Sequence, residues 1–286
     1  MDKIKLKHIS IVIVALKLLL ISVVLIKYLP EASAEDLTFN STFFWFLLAG
    51  FLAQIVDGAL GMAYGVTSNS VLLGFGLSPR LASAAVHTAE VFTTGVSGLS
   101  HIKFGNFSKA LFLKLIVPGV LSASVGAYLL GSVIDGEFIK PFVSLYLIVL
   151  GAIIISKAFK KKTLKDSNLK KAPIYALFGG FLDAVGGGGW GPIVTSNLIK
   201  EGHTPSTVIG TVNTAEFFIT YFSAGILIYF TGIQSWQIIL GLILGGTLAA
   251  PFGAYIAKRL PIKTMMITVG VLIILTSVFT LSKIIF

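Results

Sequence analysis

Four carboxylates, Asp57, Glu90, Asp183 and Glu216, lie inside long apolar stretches of this 286-residue chain. The other eight Asp and Glu sit between such stretches or near the ends. A charge at membrane depth costs several kcal/mol, so an acid placed there is by default a functional group. The chemistry open to it is ion binding or proton carriage. A carboxyl in low dielectric resists ionisation, so a buried Glu can alternate between neutral and charged forms. Glu90 and Glu216 have His87 and Asn213 three residues earlier, on the same helical face. Thr88 and Thr214 lie beside them. The expectation is that Glu90 and Glu216 couple protons to transport or gate it, with His87 read as a donor to Glu90 in preference to a proton relay. Asp57 and Asp183 each precede a glycine-rich break. They are read either as part of the coupling set or as caps for exposed backbone N–H groups.

The elements that must hold these acids follow from composition. The chain is 55% hydrophobic and 12% charged, about half the charge of a soluble domain. Its uncharged runs suit spanning helices of about 20 residues. The short alternating segments of a membrane β-barrel are absent from the sequence. There is no cysteine, hence no disulfide framework and no thiolate site. One deep histidine near one Glu offers too few ligands for a metal, so no metal or cofactor is expected. No Ser/His or paired-His arrangement suits an enzyme. The formal charge of +10 is carried mostly by lysines between apolar segments. There it sets membrane orientation and does not imply a nucleic-acid partner. Trp45 and Trp236 are read as interfacial anchors. The first helix, with Lys3, Lys5 and Lys7 before it and Ala32-Ser33-Ala34 after it, is expected to stay uncleaved. Its apolar run exceeds the 7–15 residues usual in a signal peptide.

The chain repeats itself at an offset of 126 residues, as from Asp57 to Asp183. The same offset pairs Gly61 with Gly187, Tyr64 with Trp190, Gly65 with Gly191 and Ser78-Pro79 with Thr204-Pro205. It also pairs Val86-His87-Thr88-Ala89-Glu90 with Val212-Asn213-Thr214-Ala215-Glu216. The expected fold is an all-α polytopic membrane protein with two inverted-topology repeats. Each repeat is a broken, re-entrant-like helical hairpin plus three transmembrane helices, and an extra helix precedes the first. The expected divisions are 1–41 for the N-terminal helix and outer loop, 42–159 for the first repeat, 160–172 for a basic cytoplasmic linker and 173–286 for the second repeat. The lysine bias puts the N-terminus in the cytoplasm and lets the repeats enter from opposite sides. The expected location is a bacterial cytoplasmic membrane.

Residues 181–197, FLDAVGGGGWGPIVTSN, break one apolar segment with a glycine run. Irregular backbone at membrane depth is tolerated only inside protein or beside a wet cavity. Pro192 suits the first turn of a new half-helix, whose free N–H groups favour an anion. The expected substrate-binding set is Gly187, Gly188, Gly189, Trp190, Gly191, Thr195, Ser196 and Asn197. From the first repeat come Gly61, Gly65, Thr67, Ser68 and Asn69, and from the paired helices Thr88 and Thr214. Gly119, Gly126, Gly241, Gly245 and Gly246 are read as packing glycines.

The stretch GFLDAVGGGGWGPI, its degenerate counterpart GALGMAYG and the paired Thr-Ala-Glu helices resemble the sulfite exporter TauE/SafE family of membrane permeases. The resemblance covers about residues 42–286. Leu60, Met62 and Ala63 stand where such proteins tend to carry more glycine. The resemblance implies transport of small sulfur-containing anions such as sulfite or organosulfonates, often by export; the buried glutamates add protons, and the apolar helices the lipid bilayer, as the other expected partners. The alternatives are a cation/proton antiporter, with the four acids as ligands, and a passive anion channel.

Overall fold

The computed structural model describes residues 3–28, 39–159, 169–234, 236–256 and 262–285. Ala32-Ser33-Ala34, most of the basic linker, and Lys258 and Arg259 fall outside them. Every regular element among the described residues is helical. α1 is Lys3–Tyr28. α2, Ser41–Leu60, and α3, Tyr64–Gly74, form the first broken hairpin. α4 (Pro79–Lys103), α5 (Lys109–Tyr128) and α6 (Gly136–Ala158) follow, with a π turn over Leu129–Val133 extending α5. α7, Ala172–Gly186, opens the second hairpin. It returns through a π turn at Gly191–Thr195 and α8, Ser196–Lys200. α9 (Pro205–Thr231), α10 (Trp236–Ile256) and α11 (Ile262–Ile285) complete the chain.

Local chemistry sets the starts of these helices. Oδ1 of Asn40 accepts from the Thr42 amide at 2.9 Å ahead of α2. Ser78 caps α4, and Pro79 fills its first turn, where a missing N–H costs nothing. Oδ1 of Asp135 accepts from the Glu137 and Phe138 amides ahead of α6.

Six helices among the described residues are long and apolar enough to cross a membrane, so the chain is a multi-pass membrane protein. α4 is not one of the six, and its composition explains why. It carries Ser83, His87, Thr88, Glu90, Thr93, Thr94 and Ser97, all buried. So polar a helix belongs in the middle of the bundle, wrapped by apolar neighbours. It packs on α9, while α2 packs on α10, α5 on α7 and α6 on α11. Large side chains such as Phe44, Trp45, Leu121, Phe142, Phe178 and Leu275 are exposed on the outside, where lipid would cover them.

Lipid gives helices no hydrophobic reason to associate, so close backbone packing has to hold them. Small residues provide it at three of these contacts. A Cβ on Gly50 of α2 would stand 2.7 Å from the Leu242 carbonyl oxygen of α10. One on Gly180 of α7 would stand 2.6 Å from the Gly119 oxygen of α5. One on Gly151 of α6 would stand 2.9 Å from the Gly270 oxygen of α11.

Candidate functional site

The two breaks have the same construction. α2 ends on Gly61 at φ 63°, ψ 34°, and α7 ends on Gly187 at φ 64°, ψ 25°. Both are left-handed cap positions, where a side chain would be strained. Asp57 Oδ1 accepts from the amides of Ala63 (2.9 Å) and Tyr64 (3.3 Å). Asp183 Oδ1 accepts from Gly189 (2.8 Å) and Trp190 (2.9 Å). Each carboxylate thus sits on the positive end of the returning half-helix. The half-helix ends are therefore not open: each is already capped by a carboxyl oxygen of its own hairpin. In α3 the Thr67 amide bonds Ala63 O at 3.1 Å, which leaves Gly65 and Val66 as the remaining first-turn donors.

The breaks touch each other, backbone to backbone. A Cβ on Gly188 would collide with the main chain of Gly65 and Val66, and one on Gly191 with Met62. Asn69 Nδ2 donates to Gly186 O at 2.5 Å, tying α3 to the end of α7. From α6, the Tyr146 hydroxyl donates to Gly188 O at 3.0 Å. The glycines are close-approach residues here, and only Gly61 and Gly187 need a left-handed backbone.

The polar side chains of the expected set are buried around this contact. Thr67, Ser68, Asn69, Thr195 and Ser196 are each at most 8% exposed. The hydroxyls of Thr67, Ser68 and Thr195 and the Oδ1 atoms of Asn69 and Asn213 have no protein hydrogen-bond partner, nor does Glu90 Oε2. Buried orphans at this density imply something else to bond. Ser196 and Asn197 differ, because their side chains donate back to Pro192 O and Ile193 O. Thr88 and Thr214 likewise donate to the carbonyls of Ala84 and Gly210 one turn earlier. Trp190 is fully buried, and its Nε1 donates to Val212 O at 3.3 Å. Its ring fills the space that Gly119 leaves open, so the indole packs among α5, α7 and α9 instead of lining a cavity. Tyr64, its repeat partner, occupies the space at Gly246 in the same way.

The acids converge. Glu90 Oε1 lies 2.7 Å from where a Gly65 Cβ would be. Asp57, Asp183 and Glu216 all lie within electrostatic reach of Glu90. One expectation is corrected. His87 does not donate to Glu90. Its Nδ1 lies 2.8 Å from Ser83 O, and its Nε2 lies 3.1 Å from Asp183 Oδ2. Asn213, its counterpart, donates instead to Ser97 Oγ at 2.9 Å. The count of ligand-capable groups also rises from two to three. One atom each of His87, Glu90 and Asp183 lies within 4.8 Å of the others, although a direct hydrogen bond already joins two of them.

The expected set omits three residues that serve the site. Tyr146 has no sequence signal. Lys157 reads as one more cytoplasmic lysine, yet its ammonium donates to Pro192 O at 3.0 Å and also contacts Ser196 Oγ. The reason is local: a π turn shifts the hydrogen-bond ladder and frees carbonyls for other donors. Lys17 of α1 donates to Phe92 O of α4 at 3.0 Å, and a single lysine in an apolar run gives little hint of that.

A multi-pass helical bundle whose most polar helix is buried beside two touching helix breaks has the build of a membrane transporter. The chain matches the sulfite exporter TauE/SafE family over residues 46–280, and it belongs to that family. It is also 41% identical over 246 residues to the probable membrane transporter protein YtnM of Bacillus subtilis (strain 168), covering 82% of this chain and 81% of that one. No solved structure matches.

Proposed function

We propose that the protein is a secondary transporter of small sulfur-containing anions, sulfite or organosulfonates, in a bacterial cytoplasmic membrane. The observation that carries this is the buried set of orphan donors at the touching breaks: the hydroxyls of Thr67, Ser68 and Thr195, beside the first-turn amide of Gly65. Hydroxyls and amides at a helix N-terminus suit a compact oxyanion. The family and the relative support transport as such. The sulfur anion is an extension from the family's description.

The mechanism we propose is alternating access between two inverted repeats. Its support is the offset of 126 residues, the matching caps at Gly61 and Gly187, and the exchange-symmetric packing of α2 on α10 and α5 on α7. The break residues are buried in this conformation, which fits an occluded state. Orientation by lysine bias puts the N-terminus inside. A substrate anion beside Glu90 would favour proton uptake there, and the linkage is reciprocal. Glu90 and Glu216 are thus the proposed coupling pair.

The test is flux in proteoliposomes loaded with a sulfite and sulfonate panel under an imposed pH gradient. Wild type is compared with Glu90→Gln and Glu216→Gln. Gradient-driven anion flux that the variants lose supports the reading. Flux unchanged in both variants keeps the permease and removes the glutamates from coupling. Uptake that requires Na⁺ or a metal and ignores sulfite replaces the reading with cation/proton exchange.

A further inference from the structure

We propose that His87 and Asp183 share a single transported proton across the two repeats, and that the repeat-related pair, Asn213 and Asp57, has no such link. The argument is a proton count. Ser83 O is a carbonyl and can only accept, so the His87 Nδ1 that lies 2.8 Å from it carries a hydrogen. Ser83 Oγ donates to Ala184 O at 2.7 Å, so toward Nδ1 at 3.2 Å it too is an acceptor. A neutral imidazole then has a bare Nε2. Yet Nε2 lies 3.1 Å from Asp183 Oδ2, with the pair 0% and 2% exposed. Two lone pairs do not hold that distance in a buried site. One proton lies between them, as imidazolium–carboxylate or as imidazole–carboxylic acid.

Losing that proton turns an attraction into a repulsion at a mechanically relevant point. Asp183 Oδ1 holds the amides of Gly189 and Trp190, so the same carboxylate organises the second break. The proton thus fastens α4 to the end of α7, where the second break begins. In the first repeat Asp57 makes the matching cap, but Asn213 stands where His87 stands and bonds Ser97 instead. The titratable groups around the pair are Glu90 on α4, within 4.8 Å, and Tyr146 from α6, through Gly188. Glu216 from α9 and Asp57 from α2 lie within electrostatic reach of Glu90. Tyr64 from α3 lies within electrostatic reach of Glu90 and Asp57, with its hydroxyl donated to Leu242 O. An arriving anion near Glu90 strengthens the hold on the shared proton, and the release of one loosens the other. The assignment of this proton to anion coupling rests on the anion-transport reading.

Two variants separate charge from architecture. His87→Asn copies the second repeat and removes the proton. Asp183→Asn keeps an oxygen for Gly189 and Trp190 and offers N–H to Nε2, so the link persists without a titratable proton. The readout is the ratio of pH-gradient-driven accumulation of sulfite to downhill flux in proteoliposomes. Both variants should lower that ratio roughly tenfold or more, within the range of known coupling energies. A wild-type ratio in either, with folded protein, overturns the proposal. Histidine ¹⁵N NMR in nanodiscs tests the pair without any substrate. Among the four histidines, the signal missing in His87→Asn should show a protonated Nδ1 and an Nε2 whose hydrogen bond responds to pH. In Asp183→Asn that response should vanish. A ring with a bare Nδ1, or one indifferent to pH and to Asp183→Asn, overturns the shared proton even if sulfite is transported. Absence of sulfur-anion flux in wild type with a responsive ring overturns the substrate and leaves the proton pair standing.

Discussion

Gly188→Ala tests the contact between the two breaks. A Cβ at Gly188 would stand 2.6 Å from Val66 Cα and 2.7 Å from the Gly65 carbonyl carbon. Those are main-chain atoms of α3, which cannot rotate aside as a side chain would. Overpacking usually costs about 1–3 kcal/mol, and backbone on both sides puts this case near the upper value. Gly225, in α9, is the control, because its Cβ would meet nothing within 4 Å. There alanine should stabilise by about 0.5–1 kcal/mol, through helix propensity alone. For a chain of this size each kcal/mol moves Tm by about 2–4 °C. Gly188→Ala should therefore lower the apparent Tm in detergent by about 6–12 °C, while Gly225→Ala raises it slightly. Intrinsic fluorescence during a thermal ramp reads both. A Gly188→Ala protein that melts with wild type would show that α3 and the glycine run are not in contact.

Other outcomes follow from single bonds. Asp57→Asn keeps an acceptor for the Ala63 and Tyr64 amides and should be mild, whereas Asp57→Ala should cost about 1–3 kcal/mol in the same melt. Tyr146→Phe leaves Gly188 O without its donor and should cost a similar amount. Lys157→Met uncovers Pro192 O at the π turn, and faster limited proteolysis within the second hairpin would report it. Glu90→Gln removes a buried ionisable group whose Oε2 has no partner, so its Tm should hold or rise while its flux changes. A large drop in Tm would make Glu90 a structural residue.

Much of the architecture can be read along the chain, because its signals are local. The helix breaks follow from Gly61 and the Gly186–Gly189 run, and α4 and α9 follow from Ser78-Pro79 and Thr204-Pro205. The caps of Asp57 and Asp183 are also local, spanning six and seven residues. What stays hidden is the partner at long range. Helical spacing points His87 at Glu90 one turn away, but the ring finds Asp183, 96 residues later. No period in the sequence links α4 to α7. Likewise Tyr146 reaches the glycine run, and Lys157 the π turn after it, only because α6 is laid beside them. The π turn at Gly191–Thr195 is a shift in hydrogen bonding that residue types do not announce. The sequence therefore points to where the chain breaks, but not to which side chains meet there.

The most direct measurement of the central claim is accumulation of sulfite in proteoliposomes against its own gradient, with a pH gradient imposed and then collapsed. The account predicts uphill sulfite movement that stops when the pH gradient is dissipated. Sulfite flux that only runs downhill, at a rate linear in the driving force, would make the protein a channel and contradict it.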